Sequence, residues 1–295
     1  MTPAVNQRIA LGTAQFGLSC GISNLKGQVE LRETEKILDC ATSHGIDTLD
    51  TAIAYGNSEH RLGEVGVAKW KVISKLPSIP AECADVAGWF DESIAGSLRR
   101  LRLRKLHGLL LHRPNNLLGT HGAELFDALQ RARDSGLVEK IGISIYEPEE
   151  LASLVPRFHF DIVQAPLNIL DRRLVDSGWL SRLAADGTEV HARSVFLQGL
   201  LLMSTMDRLR KFDRWSELWT QWERWLSTNN LTALRACLGY PLSFPEITAV
   251  VVGVESTAQL NDIALATQTI VSDFPKELQS NDLHLINPIH WAELV

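Results

Sequence analysis

Short apolar runs rich in β-branched residues recur along the chain and alternate with stretches of helical periodicity. Ile37, Leu38 and Ala41 recur at helical spacing before Gly45, a residue suited to follow a helix end. The alternation predicts a parallel (β/α)8 TIM barrel, with a single domain over residues 1–295 and extended loops at its C-terminal face. The predicted strands are 8–13, 48–52, 72–76, 108–112, 140–145, 161–167, 189–195 and 249–254.

Polar side chains close several of these strands. Asp50 ends the second, Tyr55 follows it, Lys75 ends the third and His112 ends the fourth. A doubly wound sheet also alternates strands and helices, but its binding residues cluster at one switch point. Polar residues at the carboxyl ends of successive strands therefore favour the barrel, where catalytic residues gather at that end.

The region 202–244 interrupts the simple alternation because it is too long for one strand-to-helix connection. Trp215, Trp219, Trp222 and Trp225 lie at spacings of four, three and three, on one side of a predicted helix. Two interpretations stay open, a stripe that faces the core and a lid over the substrate, of which the first is favoured.

Composition narrows the class of protein. The chain has 295 residues, of which 45% are hydrophobic and 22% charged, as expected for an ordinary globular protein. Its net charge of -6 argues against a nucleic-acid partner. We expect no membrane segment and a cytoplasmic location, with the four scattered cysteines as free thiols. The histidines show no metal-ligand motif.

The four polar residues suggest proton delivery. A phenol has a pKa of about 10, and it acts as an acid near neutral pH when a nearby cation lowers that value. Lys75 beside Asp50 could act on Tyr55 in this way. Each residue alone has an ordinary structural explanation, such as a helix cap or a packed loop. The combination favours catalysis.

Several motifs occur in one order over nearly the whole chain. They include Leu11-Gly-Thr-Ala-Gln-Phe-Gly17, Leu111-His-Arg-Pro114 and Val252-Gly-Val-Glu-Ser256. Together with the four polar residues, they make the chain resemble an aldo-keto reductase. The resemblance implies reduction of a small aldehyde or ketone by direct hydride transfer from NADPH or NADH, with no metal. It also implies a monomer or weak homo-oligomer.

The same resemblance assigns roles to residues. Tyr55 would donate the proton, Lys75 paired with Asp50 would lower the phenol pKa, and His112 would orient the carbonyl. The chain has no G-x-G-x-x-G motif after a first strand, so a Rossmann domain is not expected. The implied cofactor contacts are Gly12, Thr13, Asp50, Ser144, Gln164, Arg193, Ser194, Leu197, Gly199, Gly253, Glu255, Ser256 and Gln259.

Within that set, Ser144 and Gln164 would hold the nicotinamide carboxamide, and residues 194–200 would lie near the pyrophosphate. Two positions depart from the family pattern. Ile145 follows Ser144 where many members have asparagine, a contact that Asn168 or a water could replace. Arg193 stands where many members stack a tyrosine under the nicotinamide, and a planar guanidinium can also stack on a ring.

A third departure concerns the adenine end. Ser256 and Gln259 form a capping-box pattern. The family often places a lysine or arginine here for the 2′-phosphate of NADPH, whereas residues 253–262 contain none and include Glu255 and Asp262. NADPH is expected on family grounds, but Glu255 puts that preference in question.

Two other functions compete with carbonyl reduction. Lys75 could form a Schiff base in an aldolase-like lyase, although pairing with Asp50 would keep it charged and non-nucleophilic. The chain could also be a cofactor-binding regulatory or sensing module with slow turnover. The substrate pocket would be built by loops such as 14–26, the tryptophan segment and the tail 281–291. The segments that begin at Gln15 and Arg193 resemble a bacterial subgroup of the family linked to polysaccharide synthesis, and this resemblance suggests a sugar-related aldehyde.

Overall fold

The computed structural model describes residues 8–24, 26–268 and 271–294. Eight parallel strands close a barrel in chain order. Their ends differ from the predicted ones by at most two residues, so the (β/α)8 prediction is confirmed. The single-domain prediction over 1–295 extends into residues 1–7, 25, 269–270 and 295, which lie outside the described residues. The strands are β1 Ile9–Gly12, β2 Thr48–Asp50, β3 Lys71–Leu76, β4 Leu106–Leu111, β5 Val138–Ser144, β6 Ile162–Pro166, β7 Glu189–Arg193 and β8 Ile247–Gly253.

Helices connect the strands. Short 3-10 segments span Pro114–Leu118, Leu197–Leu202, Arg210–Trp215, Lys276–Leu278 and Pro288–Glu293. The α-helices are α1 Ala14–Gly17, α2 Leu31–Ser43, α3 Ser58–Val65, α4 Val86–Leu101, α5 Gly122–Asp134, α6 Glu150–Leu154, α7 Arg173–Asp176, α8 Trp179–Ala185, α9 Ser216–Thr228, α10 Ala233–Leu242, α11 Thr257–Ala266 and α12 Leu283–Ile286.

Strand periodicity decides which side chains enter the barrel. Ile73, Leu110 and Ile162 form a small apolar cluster of their own. Because side chains two residues apart share a face, Lys75 follows Ile73 on the inner face of β3, and Gln164 follows Ile162 on that of β6. The interior therefore changes from an apolar layer to a polar one toward the carboxyl ends of the strands.

A buried carboxylate fixes the helix that follows Tyr55. Glu59 on α3 is 2% exposed and accepts hydrogen bonds from Ser74 Oγ (2.6 Å), Ser97 Oγ (2.6 Å) and Arg100 Nε (2.8 Å). These partners lie on β3 and α4. The network fixes α3 to its neighbours. Removing a partner of this buried carboxylate would lower the stability of the fold, because the charge would be left unpaired.

Two glycines set the path of the Tyr55 loop. A Cβ on Gly17 would lie 1.8 Å from the carbonyl oxygen of Tyr55, and a Cβ on Gly56 would lie 2.4 Å from that of Gly17. Gly56 also has a φ of 55°. The close approach of α1 to this loop therefore requires glycine at both positions.

The tryptophan segment faces the interior. Trp219 and Trp222 on α9 are buried, and Trp222 stacks on Trp225 with ring centroids 5.7 Å apart. Trp215 Nε1 donates to Asp282 Oδ2 over 3.1 Å and joins this segment to the C-terminal region. The core-facing interpretation is confirmed, and none of the four indoles lines the main cleft.

The remaining composition-based expectations concern thiols and membranes. Cys20, Cys40, Cys83 and Cys237 are free, as expected. In the part of the chain that the structure describes, no helix combines the length and apolarity needed to cross a bilayer.

Candidate active site

The centre of the site is an ion pair between neighbouring strands. Lys75 Nζ lies 2.6 Å from Asp50 Oδ1, and the two residues are 1% and 4% exposed. Lys75 also donates to the carbonyl oxygen of Thr51 over 3.0 Å. Burial opposes the charge on Lys75, but the attraction of Asp50 outweighs it and raises the lysine pKa. Lys75 is therefore an ammonium ion throughout the ordinary pH range.

Tyr55 lies against this pair. Lys75 Nζ is 5.2 Å from the centroid of its ring, and the ring meets His112 edge-on with centroids 5.9 Å apart. Burial raises the pKa of Tyr55 by more than Lys75 and Arg193 lower it. The expected lowering is thus wrong for this structure, because desolvation of the phenolate outweighs the nearby cations. The phenol keeps its proton at neutral pH.

His112 is neutral. Burial lowers its pKa to about 4, and the positive charges of Lys75, Arg193 and Arg113 act in the same direction. A neutral imidazole offers one N–H donor and one acceptor nitrogen. It can therefore donate a hydrogen bond to an uncharged oxygen without adding another cation.

Gln164 extends the ion pair toward the cleft. Its Nε2 donates to Asp50 Oδ2 over 2.7 Å, and its Oε1 accepts from Ser144 Oγ over 3.4 Å. Gln164 lines the cleft, whereas Ser144 is buried behind it. Asn168 is also buried and bonds to the carbonyl oxygen of Ser194 and to two backbone amides, so it does not replace the missing asparagine after Ser144.

A cleft of about 640 Å³ runs across the carboxyl ends of the strands. Among the residues proposed from the sequence, Lys75 and Ser144 lie buried beneath it, while His112, Leu197 and Ser256 are not in its lining. The predicted residues that do line it are Gly12, Thr13, Asp50, Tyr55, Gln164, Arg193, Ser194, Gly199, Gly253, Glu255 and Gln259.

The segment after β7 has an unusual backbone. Ser194, Leu197, Gln198 and Gly199 have φ values of 59°, 50°, 55° and 93°. Non-glycine residues seldom adopt this region, and such strain is common at ligand clamps. The carbonyl oxygen of Gln198 accepts from the backbone amide of Ile22 over 3.2 Å, which ties the segment to the loop after β1. The sequence contains no turn signal that predicts this geometry beyond Gly199.

Two acidic residues of the cleft lining, Glu255 and Asp262, lie just before α11 and within it. Ser256 caps α11, with the backbone amide of Gln259 3.3 Å from Ser256 Oγ, so the predicted cap is confirmed. The Gln259 side chain accepts from the amide of Glu255 over 2.7 Å. Glu33 on α2 accepts from both the amide and the hydroxyl of Thr257, each over 2.9 Å. The chain's own acceptors thus occupy these four donors at the start of α11, and the role of Glu33 was not predicted from the sequence.

Arg193, the last residue of β7, is fixed by hydrogen bonds to neighbouring residues. It donates to the carbonyl oxygen of Ile145 over 2.8 Å and to Ser194 Oγ over 3.0 Å. Its Cζ lies 4.6 Å from the centroid of the Tyr146 ring, and Arg113 Cζ lies 4.7 Å from the same centroid. No sequence motif connects Tyr146 with either arginine.

One group of potential metal ligands lies away from the cleft. His284, His290 and Glu293 have ligand atoms within 4.8 Å of one another. Sequence spacing had indicated no such set. Nδ1 of each histidine lies within 3.8 Å of a Glu293 oxygen, and Glu293 is 60% exposed. Contacts of both imidazoles with Glu293 account for this grouping.

Comparison with known proteins adds family evidence to this geometry. The family model described as "Aldo/keto reductase family" matches residues 8–280. D-threo-aldose 1-dehydrogenase from Pseudomonas sp is 30% identical over 294 residues, which cover 87% of this chain and 89% of that protein. A shorter match, to 2,5-diketo-D-gluconic acid reductase B from Corynebacterium sp., is 31% identical over 46% of this chain and 47% of the other.

The fold has a counterpart among solved structures. The holo form of an aldo-keto reductase from Bacillus halodurans superposes with a TM-score of 0.72 at 20% sequence identity, covering 90% of this chain and 88% of that one. This likeness concerns the fold alone. Given the family match, the chain belongs to the aldo/keto reductase family and is an NAD(P)H-dependent carbonyl reductase.

Proposed function

We propose that this protein reduces a small aldehyde or ketone with Tyr55 as the proton donor and Lys75, Asp50 and His112 as its supporting groups. The observation that carries the proposal is the buried Lys75–Asp50 pair, whose ammonium group lies 5.2 Å from the Tyr55 ring centroid. A buried ion pair stabilises a fold only weakly. Its position in the polar layer at the carboxyl ends of the strands is therefore better explained by chemistry.

The proton step follows from the charges in the site. Tyr55 is protonated at neutral pH because burial raises its pKa. When its hydroxyl gives the proton to the carbonyl oxygen, the phenolate that remains is stabilised by Lys75, which Asp50 keeps charged. A neutral His112 can donate a hydrogen bond to the same oxygen and orient it. Positioned donors that meet a developing charge are a major source of catalysis.

The cleft suits an extended dinucleotide. Glycines let the backbone approach a ligand closely, and a Cβ on Gly253 would lie 2.7 Å from the Gln15 side chain. Gln164 would orient the nicotinamide end, and the positive-φ segment from Ser194 to Gly199 would follow the pyrophosphate. When bound, the reduced nicotinamide supplies the hydride that the carbonyl carbon accepts.

The cofactor is proposed to be NADH at least as readily as NADPH. Of the described residues that line the cleft, Arg193 is the only lysine or arginine, whereas Glu255 and Asp262 are both in the lining. Glu33 already holds the amide of Thr257 at the start of α11. A 2′-phosphate there would meet carboxylates without a compensating cation in the lining.

The substrate class is proposed to be carbohydrate-derived carbonyl compounds, since the names of two relatives refer to an aldose and to a diketo-gluconic acid. The lyase alternative is disfavoured because the pKa of Lys75 is raised, whereas a Schiff base needs a neutral amine. The cytoplasmic location and the monomeric or weakly oligomeric state stay predictions.

Oxidation of NADH or NADPH by 4-nitrobenzaldehyde tests the function. Turnover that Tyr55→Phe largely removes supports the proton-donor proposal. Cofactor fluorescence that responds to aldehydes without any turnover would favour the sensing alternative.

A further inference from the structure

We propose that Arg113, with Arg193 nearby, forms a cationic subsite for a carboxylate on the substrate, so that the preferred substrates are carbonyl compounds that carry an acidic group. The inference deepens the proposed function and rests on it, because the subsite is defined by its place beside Tyr55 and His112.

The subsite is assembled from three different loops. Arg113 directly follows His112 at the end of β4, Tyr146 lies in the loop after β5, and Arg193 ends β7. The two guanidinium carbons lie 4.7 Å and 4.6 Å from the centroid of the Tyr146 ring. Cations favour such positions over an aromatic ring, and the contact orients the flexible arginine side chains. Both positive charges are thereby placed on the His112 side of the reaction centre.

These charges lack carboxylate partners. In the described ranges 8–24, 26–268 and 271–294, no carboxylate oxygen lies within 4.0 Å of either guanidinium group. Two of the acidic residues near Tyr146 have other partners. Glu150 accepts from the amide of Tyr146 over 2.7 Å, and Asp171 pairs with Arg173 over 2.8 Å. Neither Arg113 nor Arg193 is therefore neutralised by a direct ion pair with these two carboxylates.

The two arginines differ in what they can still bind. Arg193 is partly buried and already donates to Ile145 and Ser194. Arg113 is exposed and is not in the cleft lining, so its guanidinium is accessible to a ligand beside the cleft residue Arg193. A guanidinium binds a carboxylate through two parallel hydrogen bonds. Arg113 would be the direct ligand, and Arg193 would add its field.

The charge lowers the pKa of His112 as well, since Lys75, Arg193 and Arg113 all act on that imidazole after burial. The cleft lining also contains the acidic residues Glu255 and Asp262, which follow β8. An anionic substrate is attracted by the arginines and repelled by these carboxylates, which favours binding beside His112.

A matched pair of substrates tests the subsite. 4-Carboxybenzaldehyde and methyl 4-formylbenzoate share the ring and the reacting aldehyde but differ in charge. We expect the wild-type kcat/KM to favour the acid by about tenfold or more, because a hydrogen bond between a guanidinium and a carboxylate is stronger than one to a neutral ester. Salt should lower this ratio, since an exposed cation is screened.

Substitution locates the effect. Arg113→Met should lower the acid-to-ester ratio by about tenfold, mainly through KM, and Arg113→Lys should keep part of it. Arg157→Met is the matched control, because Arg157 is also exposed and lies over an aromatic ring, with its Cζ 5.5 Å from the Phe158 centroid, but it precedes β6 at the other end of the barrel. The control ratio should equal that of wild type.

The outcomes separate the two proposals. Reduction of the ester by wild type with an acid-to-ester ratio at or below one, or a ratio that Arg113→Met leaves unchanged, overturns the subsite while carbonyl reduction stands. Failure of wild type to reduce either aldehyde overturns the proposed function and the subsite with it. Melting curves of each variant exclude loss of fold as the cause of a change.

Discussion

Lys75 Nζ and Asp50 Oδ1 lie 2.6 Å apart inside the barrel. Two residues earlier on β3, Ile73 belongs to the apolar layer of the interior. Gln164 takes the second oxygen of Asp50 over 2.7 Å. Each charge is therefore bonded, which is the condition under which a buried pair can persist. The pair holds a permanent cation 5.2 Å from the centroid of the Tyr55 ring.

Tyr55→Phe should lower kcat/KM for 4-nitrobenzaldehyde by about 10²- to 10⁴-fold, the usual value of a positioned general acid. Cofactor affinity, measured by fluorescence quenching, should change by less than about threefold. Tyr240→Phe is the control, since this buried tyrosine packs against Phe274 away from the cleft. Full activity in Tyr55→Phe would end the proton-donor assignment.

Lys75→Met should reduce the rate at least as much, because the phenolate loses its cation. It should also lower the free energy of unfolding by about 3–5 kcal/mol, since Asp50 is left as an unpaired buried charge. Denaturant titration measures this loss. The double variant Asp50→Asn/Lys75→Met should recover stability without recovering rate.

Two results would contradict this account of Lys75. If the single variant kept its carbonyl reductase activity, the phenolate would not depend on the ammonium group. If borohydride trapped a substrate covalently on Lys75 in the wild type, the lyase alternative would replace the reductase mechanism.

The neutrality of His112 predicts a dependence of stability on pH. Its pKa is lowered to about 4, whereas an unfolded histidine titrates near about 6.5. Between these values the unfolded chain binds more protons than the folded one, so stability falls as the pH falls through this window. From about pH 7 to about pH 5 the loss from this group is about 2 kcal/mol. His112→Gln should lose less stability over that range, as measured by urea unfolding, and equal losses would contradict the assigned pKa.

The sequence predicted the strands and the polar residues that lie at their carboxyl ends, because both depend on local pattern. Period-two alternation places Ile73 and Lys75 on one face, and the end of an apolar run places Asp50 and His112 at the same rim. The predicted direction of the Tyr55 pKa shift was wrong, because burial of the phenol depends on how the surrounding loops pack.

Contacts between distant loops also could not be predicted from the sequence. Tyr146 and Arg193 meet across β6, and Glu33 reaches Thr257 over a separation of 224 residues. No periodicity or motif connects such positions. Arg193 was expected to stack only on the nicotinamide, and its contact with Tyr146 follows from its hydrogen bond to the carbonyl oxygen of Ile145.

The acidic end of the cleft gives the last prediction, which concerns cofactor preference. Burial raises the pKa of Glu255, and the positive charge of Lys26 opposes this by a smaller amount. Lys26 therefore acts on this carboxylate although it is not in the cleft lining. Wild type should bind NADH at least as well as NADPH, and Glu255→Lys should shift the ratio of dissociation constants toward NADPH by about tenfold or more, because a repulsion is replaced by a charge-assisted contact. Glu277→Lys, which makes the same charge change at an exposed site outside the cleft lining, should leave the ratio unchanged. A wild-type preference for NADPH above about a hundredfold that Glu255→Lys does not alter would mean that a cation from outside the lining holds the 2′-phosphate, and Lys26→Met would then be the variant that removes it.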